Sequence, residues 1–244
     1  MDDIEKSSKL IEGSKYAMVL TGAGLSTESG IPDFRSPGTG LWEKMDPMEA
    51  LSADVLNNDP EKFYKLGFKI LRGMEDAEPN DAHVVLAKLE EKGYVKGVIT
   101  QNIDNLHFKA GSKKIYEVHG NTRTSHCVKC HAKYDFKELG RQVDSGIKVP
   151  KCKKCGGMLR PDVVMFGDMM PPDFQRAMEE AQKADLLIVI GSSLEVAPVC
   201  YLPGMADHLI IINLTSTPYD RQADAVFHEK AGTVMNQIAD CMSL

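Results

Sequence analysis

Four short runs of the chain have the apolar character of buried strands. They are 16–20 (YAMVL), 95–100 (VKGVIT), 186–190 (LLIVI) and 209–214 (LIIINL). Strands that are apolar on both faces are typical of a parallel sheet that is covered by helices on each side. We therefore predict four central strands of one parallel sheet.

Helical periodicity separates these runs. Apolar residues recur at i, i+3, i+4 and i+7 over 82–89, after a cap at Asn80 or Asp81, and again over 174–181. A further helix is predicted from Asp59-Pro60, with its apolar positions at Phe63, Leu66 and Ile70. Strands that alternate with helices predict an α/β fold, a Rossmann-like doubly wound parallel sheet.

Two stretches interrupt the alternation and are predicted to be insertions. We assign 1–35, 80–121 and 165–244 to the sheet domain, 36–79 to a helical insertion with a loop, and 122–164 to a small metal-binding module.

The composition excludes several classes of protein. A hydrophobic content of 43%, a charged content of 26% and a net charge of −6 are those of a globular protein, and the acidic balance argues against a general nucleic-acid binder. The sequence MDDIEKSSKL lacks an apolar signal core, and the apolar runs are shorter than a membrane span. We expect a cytoplasmic protein with no membrane partner.

Four cysteines form two CxxC pairs with 21 residues between them, Cys127 with Cys130 and Cys152 with Cys155. Each pair offers two thiolates from one turn, which favours a tetrahedral structural zinc over two disulfides or free thiols. His126 and His131 adjoin the first pair and are alternative ligands, although four sulfurs already complete the shell.

A glycine-rich stretch, TGAGLSTESGIPDFR, follows the first apolar run at 21–35. Gly22-Ala23-Gly24 is compatible with a tight turn or with a nucleotide site, because backbone amides without side chains approach a ligand closely. Thr27 stands where the usual dinucleotide fingerprint has its third glycine, and no P-loop lysine follows.

Polar residues also follow the second run, where a parallel sheet binds its ligands. Asn102 offers a donor and an acceptor and Asp104 offers acceptors, as a carboxamide ligand needs, although such residues also form ordinary Asx turns. His119 follows the run 115–118; it is either a core histidine or a base that works near neutral pH.

Taken in order, these motifs resemble the sirtuin family of NAD-dependent protein deacylases, from about 16 to 231. The resemblance lies in GAG-S-SGIPDFR at 22–35, TQNID at 100–104, His119-Gly120, the cysteine quartet, VVMFG at 163–167, GSS at 191–193 and Asn213-Leu214. It implies that the sheet domain binds NAD, that His119 and Asn102 are catalytic, and that one structural zinc is present.

The resemblance also implies the remaining binding residues. Those expected to bind NAD are Gly22, Ala23, Gly24, Ser26, Thr27, Asp33, Phe34, Arg35, Gln101, Asn102, Ile103, Asp104, His119, Gly191, Ser192, Ser193, Asn213, Leu214 and Ala231. Those expected to bind an acetylated protein or peptide, as an extended strand, are Val164, Phe166, Gly167 and Val196.

The implied reaction converts acetyl-lysine and NAD into free lysine, nicotinamide and O-acetyl-ADP-ribose. Mono-ADP-ribosyl transfer and removal of longer neutral acyl groups are alternatives within the family; an oxidoreductase or a zinc-knuckle adaptor are alternatives outside it.

Two positions depart from the family pattern: Asp168 replaces a glutamate, and Gly67 stands three residues after Tyr64, where acid-preferring sirtuins have arginine. We therefore expect acetyl groups to be preferred to succinyl groups.

Overall fold

The computed structural model describes residues 2–33, 40 and 46–244. The strands are β1 (Ala17–Thr21), β2 (Val95–Thr100), β3 (Ile115–Glu117), β4 (Gly120–Cys127), β5 (Lys133–Asp135), β6 (Leu159–Val163), β7 (Leu186–Ile190), β8 (His208–Ile212) and β9 (Ala225–Phe227). The α-helices are α1 (Asp3–Gly13), α2 (Ala53–Asn58), α3 (Pro60–Lys65), α4 (Gly67–Arg72), α5 (Asp81–Glu91), α6 (Leu106–Ala110), α7 (Phe136–Asp144), α8 (Pro172–Ala181) and α9 (Ala231–Cys241). In these ranges no helix is both long and apolar enough to cross a bilayer.

Six strands form the predicted parallel sheet, in the order β3-β2-β1-β7-β8-β9. From β1 the chain adds β2 and β3 on one side of the sheet, and later adds β7, β8 and β9 on the other side of β1. The direction in which strands are added therefore reverses between β1 and β7. Two predicted strands have the observed bounds. β1 begins and ends one residue later than predicted, and the Tyr16 amide before it donates to the Asp185 carboxylate at 3.0 Å. The strand predicted over 209–214 is β8, which begins one residue earlier and ends at Ile212. The predicted doubly wound α/β fold is confirmed.

Side chains of the central strands alternate between two apolar clusters. Val19 and Ile188 face the cluster formed with α1, α5 and α9, whereas Met18 and Leu187 face the one formed with α8 and the 3₁₀ turn Val199–Met205. The predicted helices at 82–89 and 174–181 lie within α5 and α8 and cover opposite faces. All five residues of β1 and of β7 are buried, which explains their apolar sequences.

A second, smaller body packs beside the sheet. It contains the antiparallel sheet β5-β4-β6 and α7, and its apolar residues form one cluster with α2, α3 and α4. Phe68 of α4 lies 5.2 Å from Phe136 of α7, measured between ring centroids. The two interruptions of the sequence pattern therefore share a core, although the predicted domain boundaries themselves stay a prediction.

The helix predicted from Asp59 through Ile70 is wrong in one respect, because the structure has two helices there. Asp59 caps α3 as expected, by accepting from the Lys62 amide at 3.1 Å, but α3 ends at Lys65. The chain turns at Leu66 and brings Gly67 so close to Ala50 that a Cβ on Gly67 would lie 2.1 Å from the Ala50 carbonyl oxygen.

The close approach of two loops at the reversal of the sheet depends on Gly191. Its φ is +65°, and a Cβ there would lie 2.0 Å from the Leu25 amide nitrogen. Since both the backbone conformation and the space exclude a side chain, this position requires glycine.

We predict that Gly191→Ala destabilises the protein by about 3–5 kcal/mol, because a left-handed conformation and overpacking each cost free energy. Gly93→Ala is the matched control: Gly93 has a φ of +81° with nothing within 4 Å of the added Cβ, so its cost should be about 1–2 kcal/mol. Urea unfolding of both variants measures the difference. Equal losses would show that the contact with Leu25 is unimportant.

Candidate active site

The loops that follow β1, β2, β7 and β8 meet at the carboxyl edge of the parallel sheet. The reversal of strand order between β1 and β7 leaves a crevice at this edge, which is where open α/β sheets bind their ligands. Most of the residues predicted to bind NAD lie on these four loops.

The glycine turn after β1 packs on the loop after β7. The Gly22 amide donates to the Ile190 carbonyl at 3.0 Å, and the Gly24 amide donates to the Gly191 carbonyl at 2.9 Å. Both amides are therefore occupied in this conformation, and the assignment of these glycines to NAD binding stays a prediction. The glycines permit contact between two backbones, and Thr27 closes the turn by donating to the Gly24 carbonyl at 2.9 Å.

Three predicted residues form a buried hydrogen-bonded cluster across two loops. The Asn102 side-chain amide donates to Ser26 Oγ at 3.1 Å and to the Gly22 carbonyl at 3.0 Å, and Ser26 Oγ donates to Asp104 Oδ2 at 2.6 Å. Ser26 is 1%, Asp104 5% and Asn102 9% exposed, so these contacts are hidden from bulk water. The two motifs are thus brought into one arrangement.

Burial raises the pKa of the Asp104 carboxyl, and hydrogen bonds from Ser26 and from the Leu106 amide oppose that rise. The Leu106 amide donates to Oδ1 at 2.9 Å, so both carboxylate oxygens accept hydrogen bonds. These donors fix the orientation of the carboxyl group at the floor of the crevice.

A line of buried polar residues behind Asn102 was not predicted. The Asn102 amide donates to Thr100 Oγ1 at 3.0 Å, Thr21 Oγ1 lies 2.8 Å from Thr100 Oγ1, and His107 Nε2 lies 2.9 Å from Thr21 Oγ1. Burial lowers the pKa of His107 to about 3 and that of the neighbouring His83 to about 4, so both rings are neutral near pH 7. Thr21 and Thr100 end their strands as β-branched residues, and this pattern alone gives no signal of a polar role.

His119 is joined to the same edge by its ring. Nδ1 lies 3.0 Å from the Gln101 carbonyl oxygen, and a carbonyl only accepts, so Nδ1 carries the proton. In the neutral ring Nε2 then carries a lone pair that can accept a proton, as a general base requires. Gln101 in turn donates from Nε2 to Ser192 Oγ at 2.8 Å, which connects the loops after β2 and β7.

The His119 ring is partly buried, and burial lowers its pKa below the ordinary value of 6.5, against the opposing effect of the Gln101 carbonyl. The ring is therefore neutral around neutral pH, with its base form available.

Several other residues predicted to bind NAD are held by different contacts. Ile103 packs between two apolar clusters, and its carbonyl accepts from the Thr122 amide at 3.1 Å. Asn213 donates to the Thr215 carbonyl at 2.8 Å, Leu214 is 55% exposed, and Ala231 is buried at the start of α9. Ala23, Ser193 and Asp33 are partly exposed, and Phe34 and Arg35 lie outside the described residues.

A contact that sequence reasoning missed connects the glycine turn to α9. Glu28 accepts from the Gly232 amide at 2.8 Å, in the first turn of that helix, where a negative charge is favourable. It fixes the position of Ala231 relative to the turn.

The predicted peptide-binding segment leads from β6 toward the sheet. The Val164 amide donates to the His119 carbonyl at 2.9 Å, and Phe166 pairs with Leu51 and Ala53 through both of its backbone groups. An added strand would therefore have to pair with Gly167 or with the Val164 carbonyl. Val196 lies partly exposed on the loop after β7.

Asp168, the departure from the family pattern, has a clear structural role. Its carboxylate accepts from the Met165 amide at 2.7 Å and forms an ion pair with Arg160. The shorter side chain thus holds the turn at Gly167, which has a φ of +90°.

The four cysteine sulfurs lie within 4.8 Å of one another. Cys127 Sγ is 3.5 Å from Cys155 Sγ, and Cys130 Sγ is 3.6 Å from Cys152 Sγ, close to the ~3.8 Å expected between ligands of a tetrahedron with Zn–S bonds of ~2.3 Å. The donor set fits a structural zinc. Among the described residues, the group of side chains placed to hold a metal consists of these four cysteines and includes neither His126 nor His131. His126 Nδ1 instead lies 2.5 Å from Asp162 Oδ1.

Comparison with known proteins agrees with this arrangement. The Sir2 family model matches residues 22–198. NAD-dependent protein deacetylase 2 of Caldanaerobacter subterraneus subsp. tengcongensis is 62% identical over 234 residues, which are 96% of this chain and 94% of that protein. The NAD-dependent protein deacetylase of Caldivirga maquilingensis is 46% identical, over 98% of this chain and 95% of its own.

Solved structures of Sir2 proteins share the whole fold. One of a Sir2 protein with a p53 peptide and NAD⁺ has a TM-score of 0.89 at 38% identity, and one bound to an acetylated peptide has a TM-score of 0.90 at 37% identity; each covers 98% of both chains. Because the family match covers most of the chain and these likenesses extend over nearly all of it, the chain belongs to the Sir2, or sirtuin, family.

Proposed function

We propose that this protein is an NAD-dependent protein-lysine deacetylase. The observation that carries the proposal is the hydrogen-bonded arrangement of Ser26, Asn102 and Asp104 beside His119, whose Nε2 is free to accept a proton. The full-length relatives named as NAD-dependent deacetylases support it. NAD would supply the electrophilic ribose carbon that accepts the acetyl oxygen when nicotinamide departs.

His119 acts as the general base in this proposal. Nδ1–H is held by the Gln101 carbonyl, so the ring cannot rotate without losing that bond, and Nε2 accepts the proton of a ribose hydroxyl. Holding a base at a fixed position lowers the entropic part of the barrier.

Asn102 and Asp104 position the reacting end of NAD. Asp104 receives the carboxamide of nicotinamide, and Asn102, anchored by its amide to Thr100 and by its side chain to Ser26, orders the ribose. Gly22 belongs to the glycine turn that admits NAD, and Gly191, Ser192, Ser193, Asn213 and Leu214 shape the ribose and adenine side of the crevice.

The acetylated substrate binds between the sheet and the smaller body. We assign its backbone contacts to Val164, Gly167 and Val196 and its apolar contact to Phe166, which is 37% exposed. The zinc held by the cysteine quartet is structural, because four sulfurs leave no open position for water. Thiols that bind metal favour a reducing compartment, which supports the cytoplasm as its location.

Replacing His119 tests the central assignment. His119→Ala should lower coupled nicotinamide release and deacetylation by about 10²–10⁴-fold, the usual contribution of a general base. The measurement is nicotinamide release from NAD, with and without acetyl-lysine peptide. His208→Ala is the control, since His208 lies at the opposite end of β8. Nicotinamide release that does not depend on peptide would instead favour ADP-ribosyl transfer.

The pH profile should report the depressed pKa of His119. A base whose pKa is lowered by burial stays neutral to lower pH, so kcat/KM for NAD should stay constant as pH falls from 8 and decline only below about 6.5. The pKa of the Asp104 carboxyl is raised, so its titration could also contribute to the acidic limb. Asp104→Asn removes this titrating group, and an acidic limb that persists in the variant belongs to His119. An acidic limb centred above pH 7 would contradict the assignment.

Acetyl peptide should be turned over faster than succinyl peptide, by at least about 10-fold. The Tyr64 hydroxyl already donates to the Leu159 carbonyl, and Gly67 is packed against Ala50, so neither can bind a succinyl carboxylate. Steady-state kcat/KM for matched acetyl, butyryl and succinyl peptides tests this and measures the tolerance for longer neutral groups. Faster succinyl removal would exclude the preference.

A further inference from the structure

A side chain outside the cysteine quartet forms a hydrogen bond with one of its sulfurs. The hydroxyl oxygen of Tyr134 lies 3.1 Å from Cys152 Sγ. Tyr134 stands in the middle of β5, a three-residue strand that pairs with β4, and its ring packs on the apolar cluster of the smaller body.

The direction of this hydrogen bond follows from its partners. The Lys153 amide donates to the Tyr134 hydroxyl at 3.0 Å, so the oxygen is the acceptor there. A sulfur bound to zinc is a thiolate and has no proton to donate. The tyrosine must therefore donate its own proton to Cys152.

Cys152 is one of the two buried sulfurs of the quartet, together with Cys127. It is 3% exposed, whereas Cys130 of the same quartet lies at the surface. Backbone amides also point at the buried sulfurs: Lys154 donates to Cys152 and Lys129 to Cys127, both at 3.4 Å. The shorter contact from Tyr134 is thus a second donor to a buried thiolate. Four thiolates and one Zn²⁺ carry excess negative charge, and donors of this kind offset it where water cannot.

The same hydroxyl connects the two cysteine pairs through the protein. Tyr134 belongs to the β4–β5 hairpin, which carries the first pair, and its two hydrogen bonds go to the turn of the second pair, at Cys152 and Lys153. The connection does not require the metal, so it also orders the ligands before zinc binds.

We propose that Tyr134 is a positioning residue of the zinc centre, which orients Cys152, withdraws charge from its metal-bound sulfur and slows the release of zinc. The proposal concerns retention of the metal and is independent of the reaction at His119.

Tyr134→Phe is the test and Tyr64→Phe its matched control. Each change removes one hydroxyl from the apolar cluster that α2–α4 share with the zinc-binding part, but the Tyr64 hydroxyl donates to the Leu159 carbonyl and not to a sulfur. In the zinc-loaded, full-length protein, transfer of zinc to 4-(2-pyridylazo)resorcinol should be about 10–100-fold faster for Tyr134→Phe. Tyr64→Phe should release zinc at nearly the wild-type rate, even if its Tm falls.

A spectroscopic readout separates this role from a general loss of stability. With Co²⁺ in place of Zn²⁺, the sulfur-to-cobalt charge-transfer band should move to lower energy in Tyr134→Phe, because the sulfur electrons lose a stabilising donor. The band of Tyr64→Phe should not move. Equal zinc release and identical bands in the two variants would overturn the proposal.

An isosteric substitution keeps the test decisive if Tyr134→Phe does not fold. Incorporation of 3-fluorotyrosine at position 134 makes the hydroxyl a stronger donor without changing the packing. Below pH 7 the cobalt band should then move to higher energy and zinc release should slow. An unchanged band in this folded protein would equally overturn the proposal. None of these measurements uses deacetylation, so failure of the proposed function would be seen separately.

Discussion

The contact between the backbones of Gly24 and Gly191 is the constraint on which the crevice depends. The Gly24 amide donates to the Gly191 carbonyl, and neither loop could come so close with a side chain at 191. This contact holds the loops that follow β1 and β7 against each other. It also places Ser26 within hydrogen-bond distance of the loop that follows β2. Asn102 and Asp104 then both bond to Ser26, in the loop that follows the neighbouring strand β1. The polar cluster is thus a consequence of backbone packing.

The second constraint is the attachment of the smaller body to that edge. Val164 pairs with the carbonyl of His119, so the segment predicted to bind peptide is fixed to the proposed base by one hydrogen bond. Asp168 and Arg160 hold the following turn. The proposed base and the segment predicted to bind peptide are therefore adjacent because β6 leads directly back to His119.

The sequence predicted the parts of this protein that repeat a simple physical pattern. Strands 95–100 and 186–190 were correct to the residue because both faces are buried, and the quartet was found because metal ligands need fixed spacing. The turn at Leu66 and the shared core of α4 and α7 could not be predicted, since both depend on which distant surfaces meet. The buried row from Thr100 to His107 was missed for the same reason. The assigned roles of Asn102, Asp104 and His119 stay predictions, although their geometry suits those roles.

The single apolar cluster that joins α2–α4 to the zinc-binding sheet has an evolutionary consequence. Phe63, Phe68 and Leu71 complete a core whose other half is Phe136, Leu139 and Leu159. Since protein cores are close-packed, a change of volume in one half must be accommodated by the other. The two segments lie about 50 residues apart in sequence, yet the packing of each constrains the side chains that the other can carry. A chimera that exchanges only the cysteine-bearing segment between relatives would pair core halves that did not change together. Their apolar side chains would then pack poorly and become exposed to water.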